Sequence, residues 1–292
     1  MEPSESPALP PGVGIRLMRE ADIPAGVGLC RASRWNQTAG EWTLFLEIAP
    51  GSAFVAARAG TVVGTAVRVP YRPSVEWVAM VLVDPAERGR GIGRALLLHV
   101  IASVPSGHVA RLDATPAGRA LYATLGFEDE CGLARYRGAA PAAISAPATV
   151  TPLGVDEWPE VCALDRRVFG ADRARVLEWC WRAAPEYAWV SRGGGGALDG
   201  FMLGRHGHDT EHIGPVVAPS DAVACDLVAA CLARARRPAV SLDVPGARHT
   251  LAAWLRDAGF FVERPFTRMR RGPPHEAGLP GQVYASAGPE LG

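Results

Sequence analysis

The chain has 292 residues, 48% hydrophobic and 21% charged: ample material for packed cores, and too apolar for general disorder. Thirty basic residues balance thirty acidic ones, which excludes the basic excess usual in a protein that grips nucleic acid. Every one of the thirty is Arg, so a Schiff-base lysine and a Walker-type phosphate loop are excluded too. The six cysteines are scattered, with no C-x-x-C pair, and read as buried thiols of a reducing compartment. The proline-rich acidic start lacks the charge and apolar run of a secretion signal. The uncharged, mostly apolar stretch 95–110 is too short to span a bilayer. A cytoplasmic protein is expected, with no membrane or nucleic-acid partner.

In chain order, Ile15 to Arg19 reads as a strand, and Asp22 opens helical segments that reach about Ile48. Ala53 to Arg58 and Thr61 to Val69 form a hairpin around Ala59-Gly60. Glu76 to Val83 is a nearly continuous apolar strand, so both its faces should be covered. A helix over Gly91 to Ser103 puts Leu96, Leu97, Val100 and Ile101 inward. A strand at Val109 to Asp113, a helix at Pro116 to Thr124 and a closing pair of strands from Phe127 complete a mixed α/β unit.

The pattern then repeats. Asp22 and Asp156 open comparable helices 134 residues apart, and Gly64 and Gly200 sit in comparable strands 136 apart. Apolar strands run into Pro85 and Pro219, 134 apart, and helices close on Phe127 and Phe260, 133 apart. Four markers in order at nearly one spacing predict two tandem copies of one fold. The boundaries expected are 13–138 and 149–272, joined by the small-residue stretch GAAPAAISAPA, with flexible tails at 1–12 and 273–292.

Chemistry concentrates in one turn of the first copy, Val83-Asp84-Pro85-Ala86-Glu87-Arg88-Gly89-Arg90-Gly91-Ile92-Gly93-Arg94. Glycines at 89, 91 and 93 let the backbone approach a ligand and take positive φ. The helix that follows offers unpaired N–H groups and the positive end of its dipole, and arginines 88, 90 and 94 add charge. A diphosphate suits such a site. No G-x-G-x-x-G fingerprint occurs in it, so a dinucleotide is set aside.

The pattern Arg88-x-x-Gly91-x-Gly93 after an apolar strand, followed by Leu121-Tyr122-x-x-Leu125-Gly126-Phe127, resembles the GNAT family of acetyltransferases. Arg34-Trp35-Asn36-Gln37 and Asp113-Ala114-Thr115-Pro116 further resemble its YitH-like tandem branch. The resemblance implies tandem domains, each a mixed, mostly antiparallel sheet flanked by helices. It implies that acetyl-coenzyme A (acetyl-CoA) binds with its pyrophosphate on the turn from Arg88 through Gly89, Arg90, Gly91, Ile92 and Gly93 to Arg94. By the same resemblance, strand residues Val81, Leu82 and Val83 align the pantetheine arm, and Tyr122 protonates the departing thiolate. Many relatives have an asparagine seven positions before that tyrosine; Thr115 stands there in this chain. Glu76, on the strand that faces substrate in similar enzymes, is a candidate general base, with a water chain as the alternative. Trp35, Asn36, Trp42 and Tyr71 are candidates for the acceptor pocket, although aromatic residues are more often ordinary core.

The second copy lacks these parts. Its turn, Val217-Ala218-Pro219-Ser220-Asp221-Ala222-Val223, has neither glycine nor arginine, and Asp221 would repel a diphosphate. Leu255 stands where Tyr122 sits. His206, His208 and His212 match no metal-ligand spacing, so no metal is expected. The sequence thus points to transfer of acetyl from acetyl-CoA to an amine, on a small molecule or a peptide, by the first copy. A non-catalytic acyl-CoA sensor or scaffold is the alternative. The assembly state stays open, a homodimer included.

Overall fold

In the computed structural model, which describes residues 9–141, 144–235, 239–274 and 277–292, the two copies share a single 13-stranded sheet. The first copy runs β1 (Val13–Leu17), α1 (Ile23–Ala32), α2 (Ala39–Ile48), β2 (Ala53–Arg58), β3 (Thr61–Tyr71), β4 (Val75–Val83), α3 (Ile92–Ala102), β5 (Val109–Ala114), α4 (Pro116–Thr124) and β6 (Glu128–Ala139). The second repeats that order as β7 (Val150–Pro152), α5 (Trp158–Phe169), α6 (Ala174–Ala183), β8 (Trp189–Arg192), β9 (Leu198–His206), β10 (Glu211–Val217), α7 (Asp221–Leu232), β11 (Ala239–Pro245), α8 (His249–Asp257) and β12 (Phe261–Arg271). A short strand, β13 (Val283–Ala285), follows. Mostly antiparallel pairing with parallel steps at β4–β5 and β10–β11 gives the expected mixed α/β architecture.

The local elements follow their residues. Proline stands in the first turn of α1, α4 and α5, where its missing N–H is no loss. Thr38 caps α2 in a reciprocal box with Glu41, whose Oε2 accepts from the Thr38 N–H at 2.8 Å. The apolar faces of α1, α2, α5 and α6 meet in one core that includes Trp42, Phe45, Trp77, Leu177 and Phe201, so the copies are packed together.

Three expectations are corrected. The closing pair of strands after Phe127 is one long strand, β6, whose neighbours both come from the second copy. The sheet runs β5–β12–β6–β11, so each copy inserts its last strand beside the fifth strand of the other. Antiparallel ladders of nine residues for β12–β6 and seven for β11–β6 fix this exchange. The joining stretch begins later than Gly138, because β6 uses Gly138 and Ala139 to pair with Val240 and Ala239; Ala142 and Ala143 within it lie outside the described residues. The expected flexible tail is packed instead. Tyr284, Ala285, Ser286, Ala287, Glu290 and Leu291 are all buried, and the segment docks through β13 on β10. Residues 1–8 and His275 and Glu276 lie outside the described residues, and among the rest no helix is long and apolar enough to cross a membrane.

Candidate active site

Strands β4 and β5 pair in parallel over only three positions, Val75–Trp77 against Val109–Arg111. Beyond these they diverge, because β4 bulges. Thr65 and Val67 face Leu82 and Ala79, leaving Met80 and Val81 opposite Ala66, and Met80 takes φ +53°. The buried Thr65 hydroxyl donates to the Met80 carbonyl oxygen at 2.8 Å and holds the bulge. The wedge opens into a cavity of about 750 Å³, lined on one side by Val78 to Val83 and on the other by Leu112, Asp113 and Thr115.

One mouth of the cavity is the Arg/Gly turn. Gly89 and Gly91 have φ +76° and +81°, the left-handed region that glycine enters without strain. Gly91 caps α3, whose first helical bond is Ala95 N–H to Gly91 C=O at 2.9 Å, so the N–H groups just ahead of Ala95 have no intrahelical partner. Arg88, Gly89 and Gly93 line the cavity. Arg88 is held by bonds to the Val83 carbonyl and the Ser33 hydroxyl, both 3.1 Å. Arg90, Gly91, Ile92 and Arg94 do not line it: Arg90 pairs with Glu87 at 3.2 Å, and Ile92 is buried in the core under α3.

Tyr122 projects from α4 and lines the cavity. Its ring packs against Phe127 with centroids 6.0 Å apart, and Gly118, one turn earlier, leaves room for it. Burial pushes the Tyr122 hydroxyl up to about 12, so it stays protonated through neutral pH as a proton donor. Thr115 caps α4, its Oγ1 accepting from Gly118 N–H at 3.2 Å, and it lines the same wall. Val81, Leu82, Val83 and Trp35 also line the cavity.

Four expected site residues fall elsewhere. Glu76 lies on the paired part of β4, opposite Ala110, and its side chain turns under α3 instead of into the wedge. There its carboxylate accepts from Arg68 and stands 2.9 Å from His108 Nδ1, and it is not among the residues that line the cavity. Asn36 joins the copies: its Nδ2 donates to Thr210 C=O at 2.9 Å, and its Oδ1 accepts from Asp209 and Thr210 N–H at 2.8 and 3.1 Å. Trp42 is fully buried core. Tyr71 is buried against Phe169, and its hydroxyl donates to Leu291 C=O at 2.9 Å.

The far end of the cavity is built by residues that the sequence reading missed. Arg135 comes from β6, Arg264 and Phe266 from β12, Gln37 from the loop before α2, and Pro289 and Glu290 from the tail. Arg135 binds Asp243 bidentately, both contacts 2.7 Å. Glu290 Oε1 pairs with Arg205, which also binds Glu41 at 3.2 Å. Burial, opposed by Arg205 and reinforced by Glu41, holds the Glu290 carboxyl above the usual carboxylate range. Among the described residues no group of three metal-ligating side chains converges; His206 contacts Glu211 at 2.7 Å, while His212 is buried near Asp243.

Comparison with known proteins matches both copies to one family. Residues 49–129 and 161–285 each match a family model described as an acetyltransferase (GNAT) domain. The uncharacterized N-acetyltransferase YitH of Bacillus subtilis is 26% identical over 185 residues, a stretch that covers 63% of this chain and 65% of that protein. A putative acetyltransferase from Pyrococcus horikoshii superposes over the whole of both chains with a TM-score of 0.81 at 22% identity. A tandem GNAT protein from the clavulanic acid biosynthesis pathway superposes with a TM-score of 0.61 at 18% identity, over 90% of this chain and 99% of its own. At such identities the two solved structures speak for the fold alone.

Proposed function

The chain belongs to the GNAT acetyltransferase family, two domains of which it carries in tandem, and on that premise we propose that its first domain transfers acetyl from acetyl-CoA to a primary amine by direct attack. The observation that carries this reading is the wedge between β4 and β5, which joins the Arg/Gly turn, Tyr122 and a polar far end in one cavity. Its volume is within the range of about 300–1,000 Å³ usual for small-molecule sites.

The residues divide the work by position. The N–H groups opening α3, with Arg88 and the two positive-φ glycines, suit a diphosphate. The walls Val78 to Val83 and Leu112 to Thr115 suit an extended, largely apolar arm. Tyr122 then stands beside the reacting end. The amine nitrogen forms a bond to the acetyl carbon, the carbon–sulfur bond breaks, the Tyr122 hydroxyl gives its proton to the leaving sulfur, and the proton shed by nitrogen restores Tyr122 through solvent. No enzyme nucleophile enters, and the buried thiols of Cys30, Cys180 and Cys231 are consistent with that, since burial raises each above its ordinary value.

Calorimetry with acetyl-CoA and a thiol-release assay over a panel of primary amines test the proposal. Binding of one acetyl-CoA per chain with amine-dependent thiol release is expected. Binding without release for any amine would favour a sensor, and absence of binding would overturn the reading.

A further inference from the structure

Two residues that line the far end of the cavity each carry a buried side-chain oxygen with no partner: Gln37 Oε1 and Glu290 Oε2. Gln37 and Glu290 are 5% and 1% exposed, and both line the cavity. A buried acceptor without a donor costs about 1–3 kcal/mol, more when charged, so two at one site call for a ligand that brings N–H groups.

The charges around them ask for the same ligand. Glu41 and Glu290 share Arg205, and the Arg135 guanidinium is committed to Asp243. Three carboxylates thus face two guanidiniums in a buried cluster, and buried charge of one sign is costly unless it is matched. Glu41 is fully engaged, Oε2 by the Thr38 N–H and hydroxyl and Oε1 by Arg205. The unmatched charge therefore falls on Glu290, whose free oxygen belongs to a residue lining the cavity. The backbone is shaped to hold it there: Gly288 has φ +129°, and a Cβ on it would stand 2.6 Å from Arg205 Nη2 and 3.0 and 3.1 Å from the Glu290 oxygens.

We propose that Glu290 is the catalytic base of the first domain, and that the acceptor enters as a primary alkylammonium held by Gln37 Oε1 and Glu290 Oε2. This rests on the acetyltransferase reading above and adds the residue and the acceptor class to it. Glu290 Oε2 takes one proton from R–NH₃⁺, and the freed lone pair forms the C–N bond as the C–S bond breaks. Tyr122 protonates the sulfur, and the second proton shed by nitrogen restores Tyr122 through solvent. Glu290 returns its proton to the medium, so one acetyl group moves and one proton is released. The base thus comes from the tail that the second copy carries, in the place where the sequence suggested Glu76.

The test compares the full-length protein with Glu290→Gln and Gln37→Met, using n-butylamine, protonated at neutral pH, and aniline, already neutral there. Glu290→Gln is expected to lower kcat/KM for n-butylamine by about 100-fold or more, to leave aniline within about threefold, and to keep acetyl-CoA affinity. Gln37→Met is expected to raise KM for n-butylamine with kcat little changed. Retained acetyl-CoA affinity shows that both variants fold. Equal losses on both amines, or no loss on n-butylamine, would overturn the assignment. A thermal-stability readout needs no acetyl-CoA: n-butylammonium should stabilise the wild type more than n-butanol does, and should not do so for Glu290→Gln. Failure of that difference overturns the ammonium site even if acetyl-CoA binds, whereas failure to bind acetyl-CoA overturns the acetyltransferase reading alone.

Discussion

The wedge between β4 and β5 and the wedge between β10 and β11 are made alike. Each begins with a few parallel pairs, three in the first copy and two in the second, and each then opens as the inner strand departs from register. In the first copy the opening is the cavity. In the second the chain's own tail fills it: Val283 and Ala285 pair with Val217 and Val216, Ala218 N–H donates to Gln282 C=O at 3.0 Å, and Ser286 N–H donates to Asp243 C=O at 2.9 Å. The turns match their wedges. Arg88 to Gly91 presents left-handed glycines and positive charge, whereas Ser220 caps α7 directly ahead of Asp221. Having closed the second wedge, the tail continues to the first cavity and supplies Pro289 and Glu290 to its wall. The strand that fills the second wedge leads directly into the residues that help wall the first cavity.

The largest effect should come from the reacting end. Tyr122→Phe is expected to lower turnover about 100-fold or more with acetyl-CoA affinity unchanged, as read by steady-state kinetics beside calorimetry. Because the hydroxyl titrates only at about 12, the wild-type rate should show no loss from Tyr122 as pH rises to about 10. The shift also fixes a sign for stability: the folded chain holds the proton more tightly than the unfolded chain, so stability should fall as pH rises from about 10 towards 12. Deleting residues 283–292 tests the wedge comparison next. It reopens the second wedge and leaves Arg205 without Glu290 and the Ala287 carbonyl; loss of a buried ion pair alone costs about 3–5 kcal/mol. Chemical denaturation should show at least that loss, and the reopened wedge should still bind no acetyl-CoA, because its turn has no anion site. Gly91→Val forces a β-branched residue to φ +81° and is expected to weaken acetyl-CoA binding about 10-fold, from a strain of about 1–2 kcal/mol. Leu255→Tyr restores the tyrosine of the second copy in name only. Leu255 is fully buried, so the outcome should be an overpacking loss of about 1–3 kcal/mol with no added turnover. The smallest effect is expected at the rim, where Arg58→Ala breaks the part-exposed pair with Glu87 for less than about 1 kcal/mol.

Much of this was legible in the sequence, for a physical reason. Turn chemistry is local, so the glycines and arginines of 88–94 and the apolar run of β4 show themselves in one continuous stretch, Val75 to Arg94. Repetition is legible as spacing, and the offsets between Asp22 and Asp156 and between Pro85 and Pro219 predicted the two copies that are found. Pairing between distant strands leaves no such mark. Nothing near Glu128 announces that β12 rather than a near neighbour lies beside β6, and nothing near Glu290 announces Arg205, 85 residues away. Glu76 failed on its place along the strand: it lies where β4 and β5 are still paired, short of the point at which they part. Trp42 and Tyr71 went to the core, as aromatic residues most often do. The one available signal for the far end was the tail itself, a Gly/Pro-rich stretch that also carries Val283, Tyr284 and Leu291, apolar enough to dock.

The central claim is that one wedge of two works, and a crystal structure with coenzyme A, paired with calorimetric stoichiometry, tests it most directly. The account predicts one ligand per chain, lying between β4 and β5 with its pyrophosphate against the amides opening α3. Two ligands per chain, or one lodged between β10 and β11 with residues 283–287 displaced, would contradict it.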